Sequence, residues 1–147
     1  MADSESFVPS DFVVPEPPRT ERFWLEPLGP QHNVADYAAW TSSMDHIWAT
    51  PGFESRSWPH PMTLEENLGD LEMHARHFTE RVGFTYTVRA VEDDDVVGCV
   101  YIYPDHEADA KVRSWVRVSR ADWDDDLADV VASWLATQWP FTTVRYR

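Results

Sequence analysis

The spacing of apolar residues changes several times along this chain, and each change marks an element. Leu64, Leu68, Leu71, Ala75, Phe78 and Val82 step by four and three, which puts them on one face of an α-helix. Thr63 with Glu66 forms a capping pair at its start, and Gly83 is placed to stop it. An earlier helix is expected after Gly29-Pro30, with Asn33 as its cap and Asp36 in its first turn. Its apolar face would hold Val34, Tyr37, Ala38, Thr41, Met44 and Trp48. FTYTV, VVGCVYIY and KVRSWVRV have strand character, the first two joined by a tight acidic turn at 92–95. Residues 23–28 form a short strand ahead of all this. Leu127, Val130, Val131, Trp134 and Leu135 define a last helix, closed by Trp139-Pro140, and residues 141–146 a final strand.

The resulting order, β-α-α-β-β-β-α-β, is an α+β arrangement. Three middle strands form an antiparallel meander, and the last helix is a crossover that returns the chain parallel to the strand before it. Residues 1–21 carry four prolines and an excess of acids, so they read as a flexible arm. Residues 22–147 read as one domain. The single cysteine, Cys99, excludes an internal disulfide framework and reads as an inert core thiol. No segment approaches membrane-spanning length, so a soluble, cytoplasmic protein is expected. The net charge of −14 disfavours nucleic acid and anionic membranes as partners.

The chemistry-bearing residues fall in four places. Lys111, Arg113, Arg117 and Arg120 form a basic island. Strand alternation sets Lys111, Arg113, Trp115 and Arg117 on one face, as a groove for an anionic ligand or a solvent-facing strand whose arginines pair with acids. Just after it, Asp122, Asp124, Asp125 and Asp126 crowd a helix start, where backbone N–H groups otherwise suit phosphate. The proline-rich stretch 50–62 brings Arg56, Trp58 and His60 together, side chains able to hold a ligand and supply a base. His74 and His77, three apart on a helix, read as exposed surface residues, with no third ligand for a metal. Tyr101 and Tyr103 share a strand face with Cys99, as packing aromatics or as hydrogen-bond donors.

The element order, with PLGPQHNVADYAAW and DVVGCVYIYP, resembles the GCN5-related N-acetyltransferase family, in a form truncated after the fifth strand. The resemblance implies a mixed sheet that holds acetyl-CoA between two splayed strands, here 111–118 and 141–146. Its pyrophosphate loop, Q/R-x-x-G-x-G/A, falls on residues 120–125, where Arg120 matches and the glycine positions are Trp123 and Asp125. Ser114, Trp115, Val116, Arg117 and Arg120 would then contact the coenzyme. His60 would be the base and Tyr101 a proton donor, while Arg56, Trp58 and Tyr103 border the acceptor. The implied activity is acyl-CoA-dependent N-acylation of a small amine. The alternative is a non-catalytic ligand-binding or dimerisation module that has lost coenzyme A. The absent later strands imply an open sheet edge, and pairing of that edge implies a homodimer.

Overall fold

The alternating strands pair as a meander because each has apolar residues on both faces and short polar turns between them. A computed structural model describes residues 6–147. Its elements are β1 (Phe23–Pro27), α1 (Asn33–Thr41), α2 (Met44–Trp48), α3 (Leu64–Glu80), β2 (Phe84–Ala90), β3 (Val96–Tyr103), β4 (Ala110–Val116), α4 (Asp124–Gln138) and β5 (Val144–Tyr146). They build one sheet in the order β1-β2-β3-β4-β5, antiparallel except for the parallel pair β4–β5. The α+β class and the crossover through α4 are as the pattern implies. Among the described residues, no helix is long and apolar enough to cross a membrane.

Both sheet faces are covered. Val100, Ile102, Val112 and Val116 pack with Leu127, Val131, Trp134 and Leu135 of α4. Cys99, Tyr101 and Trp115 point the other way and pack with Trp40, Ile47, Phe53 and Leu71. Strand alternation thus sends Arg113 and Trp115 toward the α1–α3 side, where Trp115 is fully buried instead of facing solvent.

Three expectations about the helices are corrected. The first helix breaks at Ser42-Ser43, where Thr41 and Ser42 hydroxyls bond back to the Tyr37 and Ala38–Ala39 stretch, at the carbonyls of Tyr37 and Ala39. Such side chains compete with the backbone ladder. Asn33 does not cap α1, which instead buries Asp36, Ala39 and Trp40 and leaves Val34 71% exposed. The indole of Trp40 offers more area than the smaller stripe and needs a partner for its N–H. The Thr63–Glu66 capping box on α3 is present in both directions. That helix ends not at Gly83 but at Arg81, in a left-handed conformation with φ 62°. Gly83 instead lies against the ring of Tyr103, where a Cβ would overlap it.

The proline-rich arm is fastened to the body from Phe7 onward. Val8 is only 2% exposed, Phe7 stacks on Phe141 at 5.2 Å, and Phe12 meets Trp139 at 5.3 Å. The Arg81 guanidinium donates to the carbonyls of Pro9 and Phe12 at 2.8 and 2.7 Å. Burial of these rings offsets the entropy of ordering the segment. The part of the expected arm at 1–5 lies outside the described residues.

Candidate functional site

Helices α1 and α3 stand off the sheet far enough to leave a cavity of about 300 Å³. Polar side chains from both helices and two strands line it: Asp36, Asn67, Asp70, His74, His77, Tyr101, Tyr103 and Arg113. Leu28, Trp58, Leu71 and Met73 supply the apolar wall. The polar groups form two connected sets.

The first set begins at Trp40, whose Nε1 donates to Asn67 Oδ1 at 3.0 Å. That contact fixes the amide so that Nδ2 faces Asp36 Oδ2 at 3.1 Å and Asn33 Oδ1 at 2.9 Å. Asp36 is 3% exposed, and burial pushes its carboxyl from 3.8 up to about 6, against the lowering effect of the Asn67 hydrogen bond. Asp70 nearby is also raised, first by its own burial. At neutral pH Asp36 is therefore mainly ionised; His32 attracts and Asp70 repels its charge, but no cationic side chain forms an ion pair with it among the described residues.

The second set centres on the Tyr103 hydroxyl, which lies 2.8 Å from His74 Nδ1 and 2.9 Å from His77 Nδ1. One hydroxyl carries one proton, so when one imidazole accepts it the other presents its own N–H. His74 Nδ1 also lies 3.1 Å from Thr85 Oγ1. Burial, then the neighbouring His77 and Arg113 charges, lower His74 from 6.5 to about 4. It is a neutral ring at physiological pH. The two histidines expected at the surface are thus part of the cavity wall, because Tyr103 on β3 sits directly beneath α3. Among the described residues, no cluster of three or more His, Cys, Asp or Glu is arranged to hold a metal.

Of the chemistry-bearing residues named from the sequence, Trp58, His74, His77, Tyr101, Tyr103 and Arg113 come together here. Tyr101 Oη accepts the Trp115 Nε1 proton at 3.0 Å, and burial pushes its pKa well above 10. It is a fixed polar wall atom more than a proton source. Trp58 is wedged among Trp40, Phe53, Tyr101 and Trp115. His60 is exposed and is not among the lining residues; its Nδ1 lies 3.2 Å from the Pro61 carbonyl oxygen. Arg56 turns outward over the Trp48 ring at 4.9 Å. Asn67 escaped the sequence reading, and Asp36 entered it only as a first-turn residue of a helix. The one signal for them was a polar residue at a position of α3 that faces Trp40.

A second region lies where β4 and β5 diverge. Residues 110–112 pair with 144–146, and β4 then continues to Val116 without a β5 partner. The protein's own side chains bridge this divergence. Tyr146 Oη is 2.5 Å from Ser114 Oγ, and the Arg147 guanidinium grips both oxygens of Asp124 at 2.6 and 2.7 Å. Ser114, Trp115 and Val116 are buried. Arg117 pairs with Asp95 at 3.0 Å, and Arg120 with Glu92 and Asp93 at 2.7 and 3.2 Å. Trp123 is buried beneath Arg22 and Arg120.

No protein-family model and no curated protein matches this sequence. Solved structures do. The chain is similar to the ribosomal-protein-S5-alanine acetyltransferase of Vibrio fischeri, with a TM-score of 0.63 and 11% identity over 82% of this chain and 67% of that one. It is also similar to a Salmonella typhimurium acetyl transferase that modifies the N-terminal serine of ribosomal protein L7/L12 (TM-score 0.62, 11% identity, 81% and 66% covered). This is the GCN5-related N-acetyltransferase fold. A third similar structure, the microcin C7 self-immunity acetyltransferase, was solved with acetyl-CoA and AMP (TM-score 0.58, 8% identity, 78% and 63% covered). The chain spans about two thirds of the length of these acetyltransferases.

Acetyltransferase folds of this kind invite acetyl-CoA at the divergence of β4 and β5. The residues present do not fit its pyrophosphate. Close approach of phosphate needs glycine backbone N–H groups, whereas Trp123 and Asp125 stand at those positions. Asp125 adds a negative charge at the same place. Arg120, the one matching residue, is held by two acids of the β2–β3 turn.

Proposed function

We propose that the cavity between α1, α3 and the sheet binds a small amine, on an acetyltransferase frame whose β4–β5 divergence is bridged by Tyr146, Arg147 and Asp124. The observation that carries this reading is Asp36. A carboxylate this deeply buried costs free energy unless a cation meets it. Its only hydrogen-bond donor among the described residues is a neutral amide, and it borders a cavity of ligand size. An ammonium group would supply the missing charge. Asp70 beside it and the acidic surface draw a cation in the same direction. His74 serves as a neutral hydrogen-bonding wall and does not repel the cation.

This favours a binding protein over a transferase. The second reading, acetyl-CoA-dependent acylation of the same amine, is supported by the unpaired edge of β4 beyond Val112 and by the activities named for the similar structures. Thermal shift with a panel of primary amines at millimolar concentration tests the first. A saturable rise in melting temperature is expected at pH 7.5. Affinity should fall roughly tenfold per pH unit below 6, where protons compete for Asp36, and be lost in Asp36→Asn. Absence of any amine-dependent shift, or binding that ignores Asp36→Asn, would remove the proposal.

A further inference from the structure

The amine cavity has a cationic end. Arg113 on β4 lines it and also lines a second groove of about 550 Å³ on the same side of the sheet. Lys111, Arg145 and Arg147 complete the basic lining of that groove, and Glu54 is its one acid. Four of the chain's twelve bases thus meet here, in a protein with 26 acids. Arg145 and Arg147 are paired, with Asp105 and Asp124. Among the described residues neither Lys111 nor Arg113 has a carboxylate partner or a side-chain hydrogen bond, and of the two only Arg113 also lines the amine cavity.

What holds Arg113 is aromatic. Its guanidinium carbon lies 4.9 Å from the Phe53 ring centre and 5.5 Å from that of Tyr101. These contacts support the cation but leave its N–H donors unused. Gly52, at φ 99°, lies close against the stem: a Cβ there would come within 3.1 Å of Arg113 Cγ. The charge is felt inside the amine cavity, where it contributes to the lowered His74 pKa. A prearranged fork of donors at one end and a buried carboxylate at the other describe a dipolar ligand.

We infer that the ligand is an amino acid, with its ammonium group toward Asp36 and Asp70 and its carboxylate on Arg113. The inference builds on the amine reading above and adds the second charge. A carboxylate accepts two parallel N–H bonds from the Arg113 fork, and a cavity of about 300 Å³ is the size of a small metabolite.

The test is calorimetry on the full chain with the twenty amino acids, each beside the amine left by removing its carboxyl group. At least one amino acid should bind roughly tenfold or more tightly than its amine. In Arg113→Gln that preference should vanish, and in Arg113→Lys it should be only partly kept, since the charge remains without the fork. Gly52→Ala, which crowds the Arg113 stem and strains the backbone at φ 99° without removing the charge, should reduce the preference as well. If Arg113→Gln does not melt cooperatively without ligand, the Arg113→Lys and Gly52→Ala results decide. Equal binding of amine and amino acid, or a preference that survives these substitutions, overturns the inference and leaves the amine site standing. Failure of every compound to bind overturns both.

Discussion

Replacing Asp36 by asparagine keeps the shape of the side chain and an oxygen that can accept from Asn67 Nδ2, but removes the titrating carboxyl. In the folded protein that carboxyl is raised from 3.8 to about 6 by burial. The folded state therefore holds the proton more tightly than the unfolded chain does. Stability is lost as pH rises from about 4 to about 6, and the full cost persists above that. A shift of about 2 units at ~1.4 kcal/mol each amounts to a cost of at most about 3 kcal/mol. Asp36→Asn should thus be more stable than the wild type by up to about 3 kcal/mol at pH 7.5, with little difference near pH 4. Urea denaturation across this range measures the gap. Comparing the two proteins cancels His74, whose depressed pKa gives the opposite slope, a gain in stability as pH rises from about 4 to 6.5. A difference that does not change with pH, or an asparagine variant that is weaker at pH 7.5, would refute the reasoning.

Two further outcomes follow from the same wall. His74→Gln removes the group whose charging opposes the fold, so the loss of stability on acidification from pH 6.5 to 4 should shrink; an unchanged slope in urea titrations would contradict the burial of this ring. Gly83→Ala pushes a methyl group into the Tyr103 ring and should cost roughly 1–3 kcal/mol. It should also disturb the hydroxyl shared by His74 and His77, visible as changed imidazole resonances in NMR spectra; a neutral effect on both would contradict the close approach.

The strands and their order were legible because alternation over seven or eight residues has few other solutions. The Thr63–Glu66 box likewise names its own helix start, and both of its hydrogen bonds are present. Helix faces were less legible. The stripe Val34, Tyr37, Ala38, Thr41 weighs apolar residues alone, whereas α1 turned to bury Trp40 and Asp36 together through Asn67. A polar network of that kind leaves no periodic trace, since each member is an isolated residue on a different element. His74 and His77 looked exposed for the same reason. Their partner, Tyr103, is 26 residues or more away in sequence and meets them through sheet pairing. The departure of residues 120–125 from the family's phosphate-loop pattern was legible from Trp123 and Asp125, but the side chains that bridge the neighbouring strands were not. Arg147 reaches Asp124 across 23 residues, and that pair depends on how far β5 runs beside β4.

The central claim is that this acetyltransferase frame does not seat its fold's usual coenzyme. Titrating acetyl-CoA into the full chain by calorimetry tests it most directly. The expected result is no saturable heat up to millimolar coenzyme at physiological salt. Saturable binding of acetyl-CoA to the wild-type chain would contradict it.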